Sequence, residues 1–293
     1  MEGTRMPSVL ITGTSKGIGF ETALAFGRAG YRVHATMRNP SASPELAQVA
    51  ARDRLPITVS AMDVDSDESV ASAMAAIHQA HGPVDVLVNN AGVEQAGAVE
   101  ELPMAAFRSV METNYFGVIR CVQSVAPHMR KRGTGCIINV ASVAGRIASA
   151  PLTPYMASKW ALEALSEGLA GELKTFGVRV LIVEPGIIDT AMARRIEDQP
   201  GQSAYRQHAR FASLFEASLK HPTPPSVVAG KILEIAGNGT WQLRHPVGPD
   251  AEPFLQWRRG MTDEEWIDLN SCDDATWYTR IERDFGLDTR PKA

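Results

Sequence analysis

Over the first two-thirds of the chain, short apolar runs recur between longer amphipathic stretches, and the runs are nearly continuous in apolar character instead of alternating. Strands that read this way are buried on both faces, as in a parallel sheet covered by helices. The runs fall at 9–12, 31–37, 57–62, 84–88, 135–140 and 178–183. Helical patterns lie between them at about 17–29, 44–54, 67–81, 103–132 and 154–176. Local signals mark the ends: Gly30 stops the first helix, and Asp65-Ser66-Asp67-Glu68 offers oxygen acceptors to the free N–H groups of the third. Gly82-Pro83 breaks that helix, and Pro185-Gly186 ends the sixth strand. Six such units predict an α/β fold, a doubly wound parallel sheet of Rossmann type with helices on both faces, a three-layer sandwich.

From about 187 the rhythm changes. A polar, Arg-rich stretch runs to Arg210, a Pro-rich turn follows at 221–225, and a short helix comes next. Trp241-Gln242-Leu243-Arg244 is a candidate for one last strand. The tail beyond Pro246 carries Trp257, Trp266 and Trp277 in short amphipathic pieces, which read as packing residues of a satellite near the site mouth or a subunit interface. The expected layout is a single Rossmann-type domain over 1–293. Its core covers about 7–246, with a substrate loop at about 187–225 and a C-terminal extension at about 247–293.

Charge and composition narrow the partners. Lys and Arg number 29 against 33 Asp and Glu, a formal net charge of −4, and the compact basic cluster is Arg130-Lys131-Arg132. Cations complement a helix C-terminus, so this cluster reads as a solvated helix end, and no nucleic-acid partner is expected. Apolar residues at 44% and charged residues at 21% are those of an ordinary globular enzyme. No stretch approaches the ~18 apolar residues of a membrane span. The first apolar run at Val9 meets Thr12-Gly13 at once, leaving no room for a signal-peptide core. Cys121, Cys136 and Cys272 are odd in number and too scattered for a zinc motif, and the seven histidines show no ligand spacing. No metal is expected, and a reducing, cytoplasmic setting suits the thiols.

Two constellations carry chemistry. Thr12-Gly13-Thr14-Ser15-Lys16-Gly17-Ile18-Gly19 stands where a buried strand turns into a helix. Glycines there let the backbone turn tightly against a pyrophosphate whose charge rests on helix N–H groups. The spacing is Gly-x3-Gly-x-Gly, not the commoner G-x-G-x-x-G. The second is Tyr155-x3-Lys159, whose i,i+4 spacing puts a phenol and an ammonium on one helix face. A cation within ~4–6 Å favours phenolate and lowers a phenol's pKa by ~1–3. Tyr-x3-Lys alone is a weak signal that a surface helix also explains, but Ser142 stands just ahead at the carboxyl edge of the fifth strand, where open α/β sheets place ligands.

Together, Thr12-Gly-x3-Gly-Ile-Gly19, Asn89-Asn-Ala-Gly92, Ser142, Tyr155-x3-Lys159 and Pro185-Gly186 resemble the short-chain dehydrogenase/reductase family over about residues 8 to 190. The resemblance implies a nicotinamide cofactor and a catalytic set of Asn114, Ser142, Tyr155 and Lys159. Gly13, Gly17 and Gly19 would cradle the pyrophosphate, Asp63 would reach the adenine, Asn90, Ala91 and Gly92 would wall the adenosine ribose, and Ser15, Lys16, Ile18 and Val64 would also bind the cofactor. Tyr155 and Lys159 would meet the nicotinamide end, Lys159 binding its ribose. Thr190 would hold the carboxamide, with Pro185, Gly186 and Ile188 of the same segment also binding the cofactor, and Asn114 would hold a water in a proton relay. Read singly, Asn114 also fits a cap or buried polar contact, Asp63 a turn former and Thr190 a helix N-cap.

NAD-specific sites usually carry an acid at the end of the second strand. Here Met37 is followed by Arg38, with Lys16 in the glycine loop, so two cations are available for a 2′-phosphate and NADP(H) is expected. The residues Ala35-Thr36-Met37-Arg38 and the long tail resemble the hydroxysteroid/retinol dehydrogenase branch, by association only. The expected function is an NADP(H)-dependent oxidoreductase acting on CH–OH donors, interconverting a primary or secondary alcohol and its aldehyde or ketone on a lipophilic, steroid- or retinoid-like substrate. The alternatives are a 3-oxoacyl or general carbonyl reductase and, in another class, a non-catalytic NADPH-binding sensor or scaffold. A homodimer or homotetramer is expected through the helices at 103–132 and 154–176, with Trp160, Ala164 and Leu165 as contact residues.

Overall fold

The computed structural model describes residues 6–197 and 203–290. Strand β1 (Ser8–Thr12) shows why the apolar runs are continuous: all five residues are buried, Val9 and Ile11 in one hydrophobic cluster and Leu10 in the cluster on the opposite face. β5 (Gly135–Val140) and β6 (Val178–Pro185) divide in the same way, Ile138 and Leu181 on one side, Ile137 and Ile182 on the other. Both faces need a helical cover, and the crossovers supply it. With β2 (Arg32–Met37), β3 (Ile57–Ala61), β4 (Val86–Asn89) and β7 (Arg244–Val247), these strands form a seven-stranded parallel sheet in the order β3-β2-β1-β4-β5-β6-β7.

Helices α1 (Gly17–Arg28) and α2 (Glu45–Arg52) cover one face, where Leu24, Phe26 and Leu46 enter the core. On the other lie α3 (Asp67–His81), α5 (Gly117–Arg132) and α6 (Thr153–Lys174), through Val70, Val122 and Leu162. The doubly wound sandwich read from the sequence is the fold observed. Ser66 caps α3 by accepting the N–H of Ser69, and Arg130, Lys131 and Arg132 form the last turn of α5.

Three elements differ from the expectation. The stretch at 103–132 is not one helix: α4 (Met104–Met111) passes through a π-helical turn at Glu112–Phe116 into α5. Such turns interrupt the ladder without a Pro or Gly signal, and Asn114 sits within this one. The last strand is shifted onto Arg244–Val247, while Trp241 stays 49% exposed with the Lys174 ammonium over its ring. Pro246 is tolerated because β7 is an edge strand. The polar region after 187 holds α7 (Ala191–Glu197) and α8 (Gln207–Ser218); the part of the expected substrate loop at 198–202 lies outside the described residues.

After α9 (Pro225–Gly237), which joins the α1 face through Val228, Ile232 and Ile235, the tail forms α10 (Ala251–Arg259), α11 (Asp263–Ser271) and α12 (Asp274–Phe285). These tail helices build aromatic clusters of their own beside the carboxyl ends of the strands. Among the described residues no helix is long and apolar enough to cross a membrane.

Candidate active site

The strand order reverses between β1 and β4, and open α/β sheets place ligands in the crevice outside the carboxyl ends at such a point. Asn90 ties the two loops together: its N–H donates to Thr12 Oγ1 at 3.0 Å and its Nδ2 to the carbonyls of Thr12 and Gly13 at 2.9 and 3.0 Å. This closeness explains two of the glycines. A Cβ on Gly19 would stand 2.3 Å from the Gly13 carbonyl oxygen, and one on Gly13 would stand 2.7 Å from Ala91 Cα. Gly17, with φ +60, begins α1, and neither a capping side chain nor an acidic residue occupies that first turn. Its N–H groups face the crevice with their positive dipole uncompensated.

A cavity of about 470 Å³ runs from this loop past the ends of β4, β5 and β6 to the tail. Ser15, Lys16, Ile18, Arg38, Asp63, Val64, Ala91, Gly92, Pro185, Gly186, Ile188 and Thr190 line it, as do Gly13, Gly17 and Asn90. Gly19 and Asn114 are buried behind the wall and do not. Two residues show the local roles read for them and also reach the cavity. Asp63 lines the cavity and forms a turn, accepting the N–H of Asp65 at 3.1 Å, and Thr190 lines it while capping α7 through the N–H of Ala193.

Ser142, Tyr155 and Lys159 converge on the same cavity. Ser142 follows β5, its Oγ accepting the Ala144 N–H at 3.1 Å and donating to the Pro185 carbonyl at 3.3 Å, near enough to Tyr155 to favour its charged form. One helical turn beyond Tyr155, the Lys159 ammonium stands 5.5 Å from the centre of its ring. The expected lowering of the phenol by this cation is not what the geometry produces. Nζ is held by the Val140 carbonyl at 2.8 Å, over the face of the ring. Burial dominates instead: it raises the Tyr155 phenol above its ordinary range, with Ser142 opposing, and lowers Lys159 to about 8, with Glu163 opposing. Both groups are pushed toward their neutral forms.

The Asn114 side chain is engaged with protein. Its Oδ1 accepts the Val93 N–H at 2.9 Å, and its Nδ2 donates to the Val93 carbonyl and Ser158 Oγ, each at 2.9 Å. Lys159 Nζ and Asn114 Oδ1 lie 3.9 and 3.4 Å from where a Cβ on Gly92 would be. The bare glycine keeps the space between them open.

The cradle fits a nicotinamide dinucleotide. Glycines that admit no side chain, an uncapped helix N-terminus and two solvent-facing cations, Lys16 and Arg38, meet at one end of a cavity whose other end holds the Ser–Tyr–Lys group.

A family profile described as short chain dehydrogenase matches residues 7–201. The chain belongs to the short-chain dehydrogenase family. It is 42% identical to retinol dehydrogenase 8 of Bos taurus over 85% of this chain and 83% of that one. It is 35% identical to the uncharacterized oxidoreductase YusZ of Bacillus subtilis, over 85% and 91%. Among solved structures, a short-chain dehydrogenase from Streptomyces avermitilis superposes with a TM-score of 0.77 at 31% identity, covering 97% of this chain and 99% of that one. An actinorhodin polyketide ketoreductase with NADPH superposes at 0.76 and 29% identity, covering 86% and 99%.

Within this short-chain dehydrogenase frame, several cavity residues escaped sequence reasoning. Trp257 and Trp266, read as packing residues, both pack edge-to-face at 5.2 Å and line the cavity. Their indole N–H groups are satisfied by Asp284 Oδ2 at 2.8 Å and the Ala148 carbonyl at 2.7 Å, which sets the rings as fixed walls. Asp250, placed like a cap before α10, instead accepts the N–H of Ile187 at 2.7 Å and fills the space beside Gly186, clamping the loop after β6. Glu94 lines the cavity just beyond Asn90-Ala91-Gly92-Val93, and burial raises its carboxyl to about 7. An acid before a helix is a legible signal, though it points to the wrong partner in Asp250; Glu94 carries none.

Proposed function

We propose that the chain is an NADP(H)-dependent oxidoreductase interconverting an alcohol and its ketone or aldehyde on a lipophilic substrate, with Ser142, Tyr155 and Lys159 at the reacting centre. The observation that carries this reading is the continuity of one cavity from the glycine loop, past Tyr155 and Ser142, into a chamber walled by Phe211, Phe254, Trp257 and Trp266. A bound nicotinamide dinucleotide would supply or accept the hydride at carbon. Gly13, Gly17, Gly19 and the first turn of α1 would hold its pyrophosphate. Lys16 and Arg38, which make no hydrogen bond or ion pair among the described residues, would clasp a 2′-phosphate.

In the reductive direction, Ser142 and Tyr155 hold the substrate oxygen. Burial keeps the Tyr155 phenol protonated at neutral pH, so its hydroxyl is an acid ready to give a proton to that oxygen. Lys159, brought down to about 8, exchanges protons near neutral pH and faces Asn114 across the gap at Gly92. Low solvent access around Tyr155 strengthens each of these interactions.

The same reading takes the tail as part of one domain, places the protein in a reducing cytoplasm and assembles it as a homodimer or homotetramer. Support for assembly comes from Phe116 and Trp160, exposed at 45% and 48% on the helices expected to pair. Sedimentation of wild type against Trp160→Glu reads that contact.

The test is NADPH oxidation with lipophilic ketones, short aldehydes and a 3-oxoacyl thioester, for wild type and Tyr155→Phe. The lipophilic ketones should be reduced with the highest kcat/KM. The variant should bind NADPH normally and lose about 10²–10⁴ in kcat. Near-normal turnover by Tyr155→Phe would falsify the assignment.

A further inference from the structure

The polar side chains that stand beside Tyr155 are mostly bonded to protein. Asn90, Asn114, Ser142 and Lys159 each have a partner. Glu94 differs: among the described residues its carboxyl accepts no hydrogen bond and joins no ion pair, although it lines the same cavity. The Arg195 charge acts on it across the cavity, but neither that guanidinium nor any other described side chain donates a hydrogen bond to it.

Glu94 is also not a loose surface group. Val93, immediately before it, is bonded through both its N–H and its carbonyl to the fully buried Asn114, each at 2.9 Å. A few residues on, the Gly97 N–H donates to the Pro151 carbonyl at 2.8 Å. The carboxyl therefore stands on backbone pinned at both sides. Burial raises it to about 7, the charge of Arg195 opposing, and its own charge raises the phenol of Tyr155. That coupling locates it at the catalytic end of the cavity.

A carboxyl that lines a cavity without a protein donor is left to water, and a ligand that displaces that water without replacing its hydrogen bonds loses affinity. A ligand that brings the donor avoids that loss when it binds. We infer that Glu94 is a specificity-determining residue that accepts a hydrogen bond from the substrate. The site then favours lipophilic ketones and alcohols that carry a hydroxyl or a protonated amine close to the reacting carbon over the same skeleton without one. The inference rests on the carbonyl/alcohol reading above and narrows its substrate class. A site built to bond a substrate donor rejects the analogue lacking it by up to ~10⁴–10⁵. Glu94 is only partly buried, so about tenfold to a hundredfold is expected here.

The probes are a long-chain methyl ketone, three analogues with a hydroxyl α, β or γ to the carbonyl, and the β-amino analogue. Each is measured with NADPH on wild type, Glu94→Gln and Glu94→Leu. Binding is read in parallel from the fluorescence of the wall residues Trp257 and Trp266. At least one hydroxyketone should exceed the parent ketone by about tenfold or more in kcat/KM, chiefly through KM, and in affinity. Glu94→Leu should bring that ratio to about one while still reducing the parent ketone. Glu94→Gln, which keeps an acceptor oxygen but no charge, should retain the preference for the hydroxyl and lose any for the amine. The inference is overturned if no hydroxyketone is preferred by wild type in turnover or in binding, or if Glu94→Leu keeps the preference. Failure of every probe to oxidise NADPH would count against the proposed reaction, while the fluorescence ratios would still decide the role of Glu94.

Discussion

The two ends of the cavity are built in different ways. At the coenzyme end, position is set by backbone: Asn90 bonded to two carbonyls of the glycine loop, Thr12 Oγ1 receiving the N–H groups of Asn90 and Ala91, and glycines where a Cβ would strike main chain. At the tail end, position is set by side chains. Trp257 is held by Asp284, Trp266 by the Ala148 carbonyl, and the buried Arg210 by Asp274 and the Cys272 carbonyl. A wall of side chains can be exchanged one residue at a time. A cradle of main chain cannot, because its groups are common to every residue type. The coenzyme end should therefore tolerate little change, and the tail end should change specificity before it changes chemistry.

The largest effect expected from this contrast is at Gly19. Gly19→Ala forces a Cβ to 2.3 Å from the Gly13 carbonyl, so the loop must move. NADPH affinity by calorimetry should fall about a thousandfold, ~4 kcal/mol. Unchanged affinity would remove the backbone argument. Next comes coenzyme choice. Lys16→Ser with Arg38→Ser deletes the two cations lining that end and should shift the NADP-to-NAD ratio of kcat/KM about a hundredfold toward NAD, since hydrogen bonds to charged groups are worth ~1.5–3 kcal/mol each. An unaltered ratio means that these are solvated surface charges.

Trp257→Ala addresses the other end. It removes the edge-to-face contacts with Trp266 and Phe285 and the bond to Asp284, and large core truncations of this kind cost ~3–5 kcal/mol. Thermal unfolding should register the loss. NADPH affinity should stay within about twofold, and kcat/KM for lipophilic ketones should fall about tenfold relative to short ones. A comparable loss of NADPH affinity would show the two ends to be one unit.

The smallest effect is a pH dependence. Glu94 has its folded pKa raised from 4.5 to about 7, so the folded state binds the extra proton between those values. Its contribution to stability is present below pH 4.5 and is lost as pH rises through 7. Glu94→Gln removes this dependence. The denaturation midpoint of the variant should gain on wild type as pH rises from 4.5 to 7 and run parallel to it below. Parallel curves throughout would mean that the carboxyl is solvated as in the unfolded chain.

The fold was legible because its signals are local. β5 falls on the residues expected from their continuous apolar character, and α6 lies within two residues of the expected start and end. The π turn at Glu112–Phe116 was not legible, since no glycine or proline lies within it. The last strand was misplaced by the apolar look of Trp241 and Leu243, where pairing with β6 prefers Arg244–Val247. Of the sequence-read site residues, all but Gly19 and Asn114 reach the cavity wall, and those two stand directly behind it.

Sequence alone determined the glycine loop, the one-turn spacing of Tyr155 and Lys159 and the positions of the first six strands, because backbone conformation and periodicity are written in adjacent residues. The tertiary structure decided the protonation tendencies of Tyr155, Lys159 and Glu94, the clamp of Asp250 on the Ile187 N–H and the use of tryptophans as cavity walls. Desolvation and partnership depend on atoms brought in from far along the chain, as when the Trp266 indole meets a carbonyl 118 residues away. No local pattern encodes what such a group will be buried against.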